Sequence, residues 1–419
     1  RGRLEWTSPF PEWYSENTAG SIENRVRGMA VSVLLNPSIP HFRKGCVIDM
    51  KFVLFAVAAV LGFGCGPPFA RCAAAAEPSV FVDCEYGDLK EVVVGLPYGM
   101  SPSLDAPWFE DAMKVLPADE AEYARKTAGM LWTEMIDPTT GKSETDKLEE
   151  DNRAFIAILQ SLGVAVRRPE RITPEFIREH YGAGILVNGF SQDFPRDNLA
   201  VIGNTVIELN LRTPLRKADI SGFRKILAEK CADGTVKRFS MPHTEPLKAA
   251  DPDAPLLEGG DVIVLGKTIL VGNTRNPSVG SNEAGHRWLK SVLGDGYDVI
   301  RVPLVASVLH LDCALSVPRD GLAIVCGDAF VDGLPKQLAG WDLIKVSLDD
   351  VRRLAVNGVP VDSKNYILSY NRHNDNRYIQ TELEKRGIRV HRVFFGTHNG
   401  QGGSLRCATQ PLIRRAAVR

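Results

Sequence analysis

The chain lacks most features that assign a function at sight. Its 8 cysteines include no Cys-x-x-Cys pair, so a structural zinc site finds no support. No Gly-x-Gly-x-x-Gly follows a strand-like run and opens a helix, which argues against a doubly wound dinucleotide fold. Neither sign of charge is in excess: 50 Lys and Arg stand against 51 Asp and Glu, a formal net charge of -1. That excludes a broad basic surface for nucleic acid. No apolar run reaches the ~20 residues a membrane helix needs. Aromatic content is only 8%, but 44% hydrophobic residues are ordinary for a soluble globular core. At 419 residues the chain has room for one large domain or two ordinary ones.

The front of the chain differs from the rest. Met50-Lys51, an apolar run from Phe52 to Phe63 and the small residues Ala73-Ala74-Ala75-Ala76 read as a secretory signal peptide over 50–76. An uncleaved apolar anchor is the alternative. Residues 1–49 lack apolar periodicity and read as an unstructured leader or an over-extended reading frame. The mature part, 77–419, is expected to be one catalytic domain, secreted or periplasmic. It would keep Cys84, Cys231, Cys313, Cys326 and Cys407, an odd number that leaves at least one thiol outside any disulfide pairing within the chain.

A unit repeats along 77–419. Asp197 opens two short apolar runs joined at Gly203-Asn204, and Asp261 opens another two joined at Gly266-Lys267. Glycine at the first central position suits a two-residue hairpin of type II′. Asp312 opens a third pair around Pro318-Arg319-Asp320-Gly321. Helical stripes fall at Lys147–Leu162, Gly285–Leu293 and Tyr378–Arg386, each followed by a β-rich strand. Asp88–Gly95 reads as the opening strand, and Met100–Asp146 as an inserted flap or helical excursion. The expected class is α/β, with hairpins converging on one axis.

Three polar motifs close at the hairpin starts: Phe194-Pro195-Arg196-Asp197, Leu257-Glu258-Gly259-Gly260-Asp261 and His310-Leu311-Asp312. A fourth, Gly402-Gly403-Ser404-Leu405-Arg406-Cys407, adds a thiol. Carboxylates, an imidazole and a thiol together suit attack on a guanidinium carbon. Asp197 and Glu258 would grip its nitrogens bidentately, Cys407 would attack, and His310 would protonate the leaving amine. Asp312, two residues beyond His310, would face the same site if both lay on one strand. Each has a plain structural reading too: Cys407 as a small buried hydrophobe, His310 as a core histidine, Asp197 as a partner of Arg196. Asp261 reads as a turn-amide acceptor or a substrate contact, Arg275 as a loop brace or a carboxylate binder, and Arg196 and Arg406 as further substrate contacts. His373 and His398 are expected in polar loops outside the chemistry.

Taken in this order, the four motifs resemble those of the guanidino-modifying enzymes of the pentein superfamily, over roughly Asp83 to Arg415. The resemblance implies a five-bladed ββαβ propeller, no metal and no organic cofactor. It implies a small guanidine as partner, and a homodimer is compatible with it. By the same resemblance Asp197, Glu258, His310, Asp312 and Cys407 serve as guanidinium clamp, acid/base and nucleophile. Glu85-Tyr86-Gly87-Asp88-Leu89-Lys90-Glu91-Val92-Val93-Val94-Gly95 and Pro195-Arg196-Asp197 look like the glycine and inosamine-phosphate amidinotransferases. Glu258-Gly259-Gly260-Asp261 is similar instead to the deiminases. Amidino transfer from an arginine-like donor to an amine is therefore the leading expectation. Hydrolysis by an arginine or agmatine deiminase or a dimethylarginine hydrolase type of enzyme is the alternative, and a non-catalytic pentein-fold binding protein is a third.

Overall fold

In the computed structural model, residues 78–113, 118–242 and 254–416 are described. The 50–76 segment and the leader before it lie outside them. Leu199–Ile202 pairs antiparallel with Thr205–Glu208, and Gly203 turns the chain with φ +55°. Val262–Leu265 pairs with Thr268–Thr274 about Gly266, at φ +65°. In both turns only the glycine has positive φ, as type II′ requires. The third hairpin joins Leu315–Arg319 to Leu322–Val325. A fourth, unforeseen, joins Val359–Asp362 to Asn365–Tyr370. Pro360 and the Asp362-Ser363-Lys364-Asn365 stretch obscure its alternation in the sequence.

Each hairpin is extended by a later strand parallel to its second member: Lys237–Ser240, Asp298–Leu304, Asp342–Lys345 and Arg389–Phe394. Helices Arg224–Cys231, Glu283–Leu293 and Arg377–Lys385 carry three of these crossovers. The third crossover uses 3-10 turns instead. A fifth unit is assembled from both ends of the described chain. Asp88–Val94 pairs antiparallel with Thr409–Arg415 and parallel with Ala165–Arg167, and Phe81–Val82 flanks the C-terminal strand. The result is an α/β architecture of small mixed sheets.

Helix Glu144–Ser161 begins earlier than its apolar stripe suggests, because Ser143 and Asp146 form a capping box. It buries Leu148, Phe155 and Leu159, and also Asp151 and Asn152. Polar residues on an inward helix face need partners. Asp151 finds them in the turn Gly396–Gly400, where its Oδ2 accepts the Thr397 N–H at 2.9 Å.

Each unit hands over to its leading strand through a turn, and these turns hold the chemically able side chains. Pro195–Asn198 precedes the first hairpin and Gly259–Asp261 the second. His310 caps the helical turn Leu311–Ala314 before the third. Asn357 precedes the fourth, and Cys407 the C-terminal strand. His310 and Asp312 therefore do not share a strand, contrary to the two-residue alternation expected. The helical turn between them brings the acid round to the sulfur.

Candidate active site

The five residues expected to act are all buried: Asp197 (7% exposed), Glu258 (5%), His310 (3%), Asp312 (0%) and Cys407 (6%). Stripping a charge of water costs several kcal/mol unless partners replace it, so the partners define the site. His310 Nε2 lies 2.6 Å from Glu258 Oε2, and Nδ1 lies 3.8 Å from Asp197 Oδ1. Burial alone would lower the His310 pKa, but Asp197, Asp261 and Glu258 outweigh it and raise it well above the ordinary value. These carboxylates therefore favour the imidazolium form of the ring. Burial pushes Glu258 up, but the His310 bond and charge hold it below the usual carboxylate range. Its Oε1 also accepts the Arg212 N–H at 3.0 Å.

Asp197 accepts the Gly260 N–H at 3.2 Å on Oδ1 and meets Arg216 Nη1 at 3.3 Å through Oδ2. Burial still raises its pKa. Gly260 is required where it stands: a Cβ there would lie 2.5 Å from His310 Nδ1. The glycine pair of the motif thus serves the imidazole's seat.

Cys407 is a free thiol with Sγ 4.0 Å from Asp312 Oδ2. Burial, then Asp312 and Asp197, raise its pKa well above the ordinary thiol value. Without a cation between them, the sulfur and the carboxylates favour a protonated thiol. Asn357 seats the nucleophile's backbone: its Oδ1 accepts the N–H groups of Arg406 (3.0 Å) and Cys407 (3.1 Å). Its Nδ2 donates to the Asp312 carbonyl at 3.4 Å.

The expected substrate contacts fare unevenly. Asp261 spends both oxygens on backbone amides, Leu311 N at 3.0 Å and Ser281 N at 3.1 Å, which supports its reading as a turn-amide acceptor. Arg406 is turned inward, with Nη1 2.8 Å from Asp312 and Nη2 3.1 Å from Glu85. Its guanidinium serves the protein's own carboxylates. Arg196 is buried, and its Nε donates to the Arg406 carbonyl at 3.3 Å. Arg275 is exposed, and its backbone N–H donates to the Leu304 carbonyl at 3.0 Å.

Several supporting residues carry no clear signal in the sequence. Glu85 is pushed up by burial but held down to about 2 by Arg406 and Arg196; its motif is visible in the sequence, its role is not. Arg216 binds Asp197 and Asp219 and donates to the Phe194 carbonyl at 2.6 Å. Asn357 lies in no polar motif, so nothing local signals it. His398, expected in a polar loop, is fully buried between Asp151 and Asp193. Three hydrogen-bonding neighbours (Thr397, Asn399 and Gln401) disguise it in the sequence.

No family model matches this chain. Over 366 residues it is 27% identical to the L-arginine:L-lysine amidinotransferase of Pseudomonas savastanoi pv. phaseolicola, covering 80% of this chain and 95% of that protein. It is 30% identical over 291 residues to the putative inosamine-phosphate amidinotransferase 2 of Streptomyces griseus, covering 64% and 75%. Among solved structures, a Microseira wollei amidinotransferase of the saxitoxin biosynthetic pathway superposes with a TM-score of 0.61 at 21% identity, covering 81% of this chain and 99% of that one. The inosamine-phosphate amidinotransferase of Streptomyces griseus gives the same TM-score and identity, covering 81% and 98%.

Proposed function

The chain belongs to the amidinotransferase family, and from that premise we propose that it moves an amidino group from an arginine-like guanidine to an amine through Cys407. The observation that carries the reading is the setting of that sulfur. Asp312 lies 4.0 Å away, and Asp197 and Glu258 flank the His310 imidazolium. Buried carboxylates in this number suit a planar cation that donates hydrogen bonds at its edges.

The guanidinium enters against Asp197, Glu258 and Asp312. Its charge offsets the carboxylates that hold the thiol neutral, so the Cys407 proton leaves to solvent as the cation binds. The thiolate attacks the guanidinium carbon and forms a C–S bond. His310 gives its proton to the departing nitrogen, the C–N bond breaks, and the donor leaves as an amine. A cysteine-bound amidino group remains. The acceptor amine then attacks the same carbon, its proton returns to His310, and the C–S bond breaks. His310 carries the proton between the two amines, and the thiol regains its own from solvent as the new guanidinium leaves.

Arginine as donor follows the Pseudomonas relative, and exposed Arg275 is the proposed contact for the donor's carboxylate. The test combines arginine with a panel of amines, including lysine and glycine. Amine-dependent ornithine and a new guanidine support the reading; citrulline and ammonia without any amine would sink it. Hydrolysis is the second reading, favoured by Glu258 with its Gly259-Gly260 pair.

Two coarser features join the proposal. The five units around the site suit a five-bladed propeller, because each sends its leading strand out from a residue of the site. Export follows from the 50–76 segment, and a mature protein beginning at Glu77 is its measurable consequence.

A further inference from the structure

We propose that His398 is a positioning residue for this reaction: held between Asp151 and Asp193, it ties the segment leading to Asp197 to the loop leading to Cys407. The inference rests on the reading of Cys407 as nucleophile.

The ring is wholly buried, stacked on Phe395 at 3.8 Å between centroids and edge-on to Phe194 at 6.3 Å. Nδ1 lies 3.4 Å from Asp151 Oδ2, and Nε2 lies 3.2 Å from Asp193 Oδ1. Asp193 is itself wholly buried, and neither of its oxygens has an aligned hydrogen bond. A buried carboxylate in that state is costly unless a cation sits beside it. The His398 ring is that cation.

Asp193 stands four positions before Asp197, joined by Phe194, Pro195 and Arg196, and the Phe194 carbonyl is held by Arg216. On the other side the His398 carbonyl accepts the N–H groups of Gln401 (3.0 Å) and Gly403 (3.3 Å). Asn399 Nδ2 donates to the Gly403 carbonyl at 3.0 Å. A Cβ on Gly403 would lie 2.3 Å from the Phe194 ring, so the two segments touch without slack. Three residues separate Gly403 from Cys407, and the first of them is tied past the sulfur: the Ser404 carbonyl accepts the Ala408 N–H at 2.9 Å.

Asp151, from helix Glu144–Ser161, and Asp193 are the charged groups facing the ring. Glu144, on the same helix, faces Gln401 and Lys147 instead. Burial alone would lower the His398 pKa, but Asp193 and Asp151 raise it to about 9. Above that pH the ring loses its charge and Asp193 loses its only cation at ion-pair distance among the described residues. The tie then loosens.

The test uses the full chain as wild type, His398→Gln and Asp193→Asn. Steady-state transfer from arginine to an amine is followed from about pH 6 to about pH 10, with Cys407 labelling by chloroacetamidine read by intact mass. Loss of about 1 Å of placement predicts a kcat lower by roughly 10- to 100-fold with KM within roughly 3-fold. In His398→Gln the fall in kcat near pH 9 disappears. In Asp193→Asn it moves to lower pH, because a carboxylate that raises the ring's pKa is gone. Wild-type kcat and an unchanged alkaline limb in His398→Gln would overturn the proposal. If that variant does not fold, the same outcome in isosteric Asp193→Asn overturns it. A wild-type Cys407 that resists labelling, with activity surviving in Cys407→Ala, overturns the nucleophile reading instead.

Discussion

Replacing Gly260 by alanine isolates the seat of the imidazole from its chemistry. The added Cβ would stand 2.5 Å from His310 Nδ1, 2.8 Å from Cγ and 3.1 Å from Cβ. Comfortable carbon contacts begin near ~3.5 Å, so the ring must retreat by about 1 Å. Gly260 cannot retreat in its place: its N–H bonds Asp197, and the next residue, Asp261, is held by two backbone amides. A 1 Å displacement cannot leave the 2.6 Å contact with Glu258 at its present length and angle. Misplacement on this scale costs roughly 100-fold in rate, about 2.7 kcal/mol in the barrier. Overpacking costs a further 1–3 kcal/mol or so in stability. The assay is kcat for arginine-to-amine transfer, with thermal unfolding alongside. Gly266→Ala is the control, since Gly266 has φ +65° and a Cβ added there meets nothing within 4 Å. It should lose roughly 1–2 kcal/mol of stability from the left-handed backbone and keep its rate. A folded Gly260→Ala with kcat within about 3-fold of wild type would refute the reasoning.

Three further outcomes are expected. Asp312→Asn removes the largest charge effect on the Cys407 thiol and unpairs Arg406 Nη1, so free-enzyme thiol alkylation shifts to lower pH while guanidine KM rises. An unchanged alkylation profile would place the sulfur outside the reach of that carboxylate. Asn357→Ala leaves the Arg406 and Cys407 N–H groups without their side-chain acceptor, costing about 1–3 kcal/mol in chemical denaturation; a smaller loss with normal kcat would make Asn357 dispensable. His398 contributes stability that is complete below about pH 6.5 and lost as pH rises through about 9, because its pKa is raised in the folded state. The contribution is of order 3 kcal/mol, and a wild-type Tm that holds level across that window while His398→Gln matches it would contradict the linkage.

Much of this protein was legible because its motifs sit at the ends of local hairpins. Alternating apolar runs about Gly203 and Gly266 specify their own turns, and the acids that precede them travel with the strands. The helices were legible for the same reason, though Ser143 and Asp146 start one of them three residues before its apolar stripe. The fourth hairpin was obscured because Pro360 interrupts the pattern that would announce it. Asp312 was recognised as a site residue, but its route to the sulfur was not: alternation suggested a strand where the backbone makes a helical turn.

The amino-acid order by itself determined which side chains could do chemistry here, since a thiol, an imidazole and carboxylates are recognisable wherever they fall. Tertiary structure alone decided their states. Arg406 faces inward to Asp312 and Glu85, and Asp193 shares its burial with His398 across 205 positions of sequence. Desolvation and pairing depend on which distant groups come within about 4 Å of one another, and no local pattern records that distance.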